Sequence, residues 1–172
     1  MKITLALCSG LVFLGGSFAA FGGSPVPPAP NGIEFPAGYQ DWRVLAVSHR
    51  TDNKTLRVIL GNDAAVAAAR SGKTNPWPDG AVLGKLVWKD ATASHWPAAT
   101  VPGNFVHAEF MIKDTKKYAS TGGWGWARWK GLDQKPHGKD ANAAQECVAC
   151  HTPVKGNDWV FTAPAPMPPV AK

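Results

Sequence analysis

The chain has 172 residues, 45% of them hydrophobic and 17% charged, with a net charge of +6 and three cysteines. That is enough chain for one domain with a buried core, and too few cysteines for a disulfide scaffold. The basic residues are scattered among acids rather than gathered in a run, so nucleic-acid binding is not indicated.

Lys2, an apolar run over residues 3–14 and the small-residue end Ser17-Phe18-Ala19 make residues 1–19 a secretory signal, with cleavage expected after Ala19. The run is too short for a membrane anchor. Cys8 falls inside the signal, so processing leaves two cysteines and no structural disulfide. Residues 20–32 hold Pro25, Pro27, Pro28 and Pro30 and are expected to form a flexible leader. Residues 163–172 are a tail of the same kind, which leaves one domain over residues 33–162.

Within that body, residues 42–49 and 55–60 flank a polar turn and predict an antiparallel hairpin. Asn62 or Asp63 then opens a short helix, sustained by the alanine-rich residues 64–70 and ended by Gly72. Residues 75–80 form a turn by composition, and residues 81–89 a strand. A further strand over 104–113 has one apolar face (Val106, Ala108, Phe110, Ile112) and one mixed face (Phe105, His107, Glu109, Met111). The apolar face should meet the main core; the mixed one should meet solvent or a cofactor. In residues 120–129 tryptophans alternate with small residues, as in a strand lying against a large flat surface. A last helix over 141–151 is capped by Asp140 or Asn142 and limited by Pro153. The fold class is therefore α+β, a predominantly antiparallel sheet with short helices.

That last helix carries Cys147-Val148-Ala149-Cys150-His151, the attachment signature of a c-type haem. Cys147 and Cys150 would form the thioethers, and His151 would be the protein's ligand to iron. A zinc site lacks its second ligand pair, and a thioredoxin-like pair should open a helix rather than end one. On a helix the three residues fall at i, i+3 and i+4, so they face one flat ligand together. Small electron-carrier cytochromes are helical and place this motif near the N-terminus, with a methionine ligand far downstream. Here only the tail with Met167 follows, and Met111 has no specific signal as a ligand, so a five-coordinate or water-bound iron is expected.

Taken in order, residues 56–62, Pro78-Asp79-Gly80 with Gly84-Lys85-Leu86, residues 108–114, the tryptophan segment and the haem motif followed by Thr152-Pro153-Val154 resemble the cytochrome P-460 family. The resemblance covers residues 39–161 and implies a periplasmic mono-haem protein, mainly β, commonly a homodimer. It also implies one of two chemistries. In one branch a lysine is bonded to a meso carbon of the porphyrin, and hydroxylamine is oxidised, with nitric oxide, to nitrous oxide. In the other, cytochrome c′-β, that bond is absent and an apolar pocket binds nitric oxide or similar gases. Lys85 matches the cross-linking position, with Lys89 as the fallback. The resemblance makes Glu109 and Arg57 the candidates for proton movement and hydrogen bonding on the distal side, with His107 sharing the face of Glu109. His49, His95 and His137 carry no metal-site spacing. The partners implied are hydroxylamine, nitric oxide and a soluble redox carrier such as another cytochrome c.

Overall fold

The computed structural model describes residues 26–168. The expected signal segment, the start of the leader and the end of the tail lie outside the described residues. Six strands pair in chain order as an antiparallel meander: β1 (Arg43–Arg50), β2 (Thr55–Gly61), β3 (Val82–Ala93), β4 (Trp96–Lys113), β5 (Trp124–Lys130) and β6 (Lys135–Pro136). Helix α1 (Asp63–Arg70) links β2 to β3, and α2 (Ala144–His151) follows the sheet. The α+β expectation is met. Among the described residues no helix is long and apolar enough to cross a membrane.

Local chemistry accounts for the helix ends. Asn62 Oδ1 accepts from the Ala65 and Val82 amides, each at 3.0 Å, so Asn62 both caps α1 and ties it to β3. Asp140 accepts from the Asn142 amide at 2.8 Å and opens a 3-10 turn that runs into α2. Pro153 does not end the helical path. It lies in the first turn of a 3-10 segment, Thr152–Asn157, where a missing amide hydrogen leaves no bond unmade.

Three further expectations are corrected. The β3–β4 hairpin is longer than the sequence suggests, and its outer half is open to solvent, with Trp96 69% exposed. Pro97 and Pro102 hide this strand from pattern reading. They are tolerated because β4 pairs with β5 only over His107–Lys113, leaving its outer part bonded on one side. Secondly, residues 26–32 are packed rather than loose: Ala29 is buried, Asn31 Nδ2 donates to the Trp126 carbonyl and Trp129 Nε1 to the Pro27 carbonyl, both at 2.9 Å. A proline segment needs no ladder to dock, since its carbonyls serve buried indole donors. Finally, Phe105 leaves the mixed face. A bulge between Val87 and Trp88 shifts the register, and Phe105 packs edge-on to Trp88 at 5.6 Å.

The sheet has two unlike faces. On one, Ala108, Phe110, Ala127 and Trp129 pack with Ala29 and Ile33, and Phe35 meets Phe110 and Trp129 edge-to-face. This is the apolar face expected of β4. On the other, Leu83, Trp124 and Trp126 pack with α1, Val160 and the helix that carries Cys147.

Candidate functional site

Residues paired across neighbouring strands share a face. The rung Ile59, Lys85, Glu109, Arg128 therefore sets three charged side chains in a row across β3, β4 and β5. The adjacent rung, Arg57, Val87, His107, adds a guanidinium and an imidazole. Lys85 Nζ is ion-paired with Glu109; Arg128 Nε donates to Glu109 Oε1 at 2.6 Å, and His107 Nε2 lies 3.3 Å from the same oxygen. Burial works to raise the Glu109 carboxyl, but the charges of Lys85 and Arg128 outweigh it and hold the group down at about 2. His107 is pushed by burial to about 4, so its ring is neutral at neutral pH. Burial also lowers the Arg57 guanidinium, and among the described residues its Nε is buried with no hydrogen-bond partner.

Helix α2 packs on β5, against the Trp124–Trp126 part of this face. Cys147 is half-buried against the Trp124–Trp126 core, and burial pushes its thiol up. It lies within Coulombic reach of Arg128, Glu109 and Lys85, whereas the exposed Cys150 lies within reach of Arg50 and Arg57. His151 Nδ1 is 2.6 Å from the Trp159 carbonyl. A carbonyl only accepts, so Nδ1 carries the hydrogen and Nε2 keeps a free lone pair for a metal. Burial lowers the His151 pKa, which favours that neutral ligand form. Trp126 and Phe161 lie against the imidazole, with ring centroids at 4.7 and 4.9 Å. Asp158 and Trp159 have φ of 46° and 66°, and this left-handed pair turns the Trp159 carbonyl back toward the helix.

Comparison with protein-family models matches residues 36–162 to Cytochrome P460. The chain belongs to that family. No curated protein matches it. Membership makes this a c-type haem protein, and the residues fit the group. Two unbridged thiols and an oriented imidazole stand on one helix, aromatic rings flank the imidazole, and Arg57 carries an orphaned buried donor suited to an anionic or iron-bound ligand.

Of the residues singled out in the sequence, Arg57, Lys85, Glu109 and His107 come together on the sheet face under Cys147, Cys150 and His151. The others stand apart. Lys89 Nζ donates to the Asn53 carbonyl at 3.3 Å on the surface, Met167 is 72% exposed, and Met111 packs against the core. His49 pairs with Asp90 at 2.7 Å and His137 with Glu146 at 3.0 Å, while His95 is exposed at the β3–β4 turn. Sequence reading missed Arg128, Trp159 and Phe161. Arg128 had a usable signal, since it alternates with Trp124 and Trp126 on one face of β5; the other two lie in irregular chain and had none.

Proposed function

We propose that this cytochrome P460 family member is a periplasmic mono-haem enzyme that oxidises hydroxylamine, together with nitric oxide, to nitrous oxide and water. Each turnover then releases one proton and one electron, the electron passing to a soluble carrier such as another cytochrome c. The observation that carries this reading is the charged lining itself: Lys85, Glu109, Arg128 and Arg57 offer fixed charges and hydrogen-bonding groups to a polar substrate, unlike the apolar lining of a gas-binding pocket. Bound through Cys147 and Cys150, with His151 on iron, the haem supplies the position for the substrate nitrogen and the exit for the electron.

The protein residues then have separable tasks. Glu109 ionises at about 2, far from the pKa of an efficient proton shuttle near neutral pH. It therefore acts as a fixed anion, accepting hydrogen bonds from the N–H and O–H groups of hydroxylamine and favouring positive charge there. Arg128 holds that carboxylate in place, and His107, neutral above about 4, stands beside it. Arg57 supplies a buried donor to bound nitrogen–oxygen species. Lys85 is the residue for the porphyrin cross-link.

One observation favours the second reading, gas binding without that cross-link: Lys85 Nζ is held against the Glu109 carboxylate rather than standing free. Mass spectrometry of the tryptic haem peptide separates the two. The Lys85 peptide should travel with the fragment that holds Cys147 and His151; if the two separate cleanly, the gas-binding branch takes over.

A further inference from the structure

We propose that Lys113 and Asp158 are positioning residues for the imidazole of His151; the inference rests on reading His151 as the iron ligand. Lys113 ends β4 with its ammonium turned inward, 2.6 and 2.8 Å from the two Asp158 carboxylate oxygens. The two side chains are only 3% and 9% exposed. A buried pair of this kind adds little stability of its own, because desolvation offsets most of the attraction. Its effect here is geometric. Asp158 Oδ2 also accepts from the Trp77 amide at 2.8 Å, and the Asp158 carbonyl accepts from Trp124 Nε1 at 2.9 Å. One residue is thereby gripped from the end of β4, from the turn before β3 and from β5.

That residue begins the left-handed turn. Asp158 and Trp159 hold positive φ in succession, a conformation that non-glycine residues keep only when their surroundings impose it. The Trp159 carbonyl then meets His151 Nδ1. Gly122 completes the seat, since a Cβ there would stand 2.2 Å from Trp159 Nε1. The chain of contacts runs from Lys113 through Asp158 to the Trp159 carbonyl and the imidazole. A partner on Nδ1–H makes the ring a more basic ligand, so the buried pair sets how much electron density iron receives.

The test uses the haem-loaded protein and the charge-neutral double variant Lys113→Met/Asp158→Asn. Two readouts apply: the iron–histidine stretching band of the ferrous protein by resonance Raman, and the ferric–ferrous midpoint potential. A slackened Nδ1 bond should lower the stretching frequency and raise the potential, by a tenfold change in the ferrous-to-ferric ratio or about 59 mV. The single variant Lys113→Met sharpens the sign. Loss of a positive charge alone would lower the potential, whereas loss of positioning raises it. Lys113→Arg, which keeps the pair, should restore both signals toward the parent. Should the Met-containing variants fail to fold, Asp158→Glu keeps the charge while lengthening the arm and should move the stretching band. Parental stretch and potential in folded, loaded variants overturn the proposal. Absence of covalently bound haem from the unmutated protein, read from its mass, overturns the ligand reading beneath it as well.

Discussion

Replacing Glu109 by Gln removes the carboxylate that faces Lys85, Arg128 and His107 together. Its size of effect follows from ionisation. The carboxyl titrates at about 2 in the fold against an ordinary 4.5, a difference worth about 3 kcal/mol at neutral pH. Because the folded pKa is the lower one, this stability is fully present above 4.5 and is lost as pH falls toward 2. The Gln variant should therefore unfold about 3 kcal/mol more easily than the parent at about pH 7, lowering the melting temperature by roughly 6–12 °C. By about pH 3 the gap between the two should narrow to less than half. Urea unfolding followed by far-ultraviolet circular dichroism at both pH values measures it. Equal stabilities at neutral pH, or a gap that stays constant with pH, would refute the reasoning. Hydroxylamine turnover should fall about a hundredfold in the same variant, and undiminished turnover removes Glu109 from the mechanism.

His107 has a folded pKa of about 4 against an ordinary 6.5, so its contribution is present above 6.5 and lost as pH falls toward 4. His107→Gln lacks this liability and should outlast the parent by up to about 2 kcal/mol at about pH 4.5, with little difference at neutral pH, in the same urea titration. Asn62→Ala leaves the Ala65 and Val82 amides without their shared acceptor. It should lower the urea midpoint by the equivalent of about 1–2 kcal/mol with an unchanged slope, while the haem spectrum stays that of the parent.

Much of the fold was legible because the sheet has one strongly apolar face. Alternation through Ala108, Phe110 and Ile112 identified β4, and the asparagine before the alanine run identified the start of α1. The outer half of the β3–β4 hairpin was not legible, because its prolines argue against a strand unless one knows that this stretch is bonded on one side only. The packed leader was missed for a related reason: composition reports that a proline segment cannot join a ladder, not that it has somewhere else to dock. At the site, the motif residues were visible as a spacing, and Lys85, Arg57 and Glu109 through family resemblance. Their meeting was not. It depends on the β2–β3–β4–β5 register, a long-range property that no local window of sequence contains.

The same register explains how a small domain can hold several partly buried charges. Arg57, Lys85, Glu109 and Arg128 stand one to a strand on β2, β3, β4 and β5, and the residues flanking Glu109 and Arg128 (Ala108, Phe110, Ala127 and Trp129) form the opposite, apolar face. Around the polar cluster each strand anchors itself by the Phe110 face while presenting charge on the other, and further along that second face carries a core of its own around Leu83, Trp124 and Trp126. It follows that substitutions on the Phe110 face should act chiefly on folding, and those at Arg57, Lys85 and Arg128 chiefly on the haem. Glu109 itself is the exception, because its carboxylate is also the counter-charge for Lys85 and Arg128.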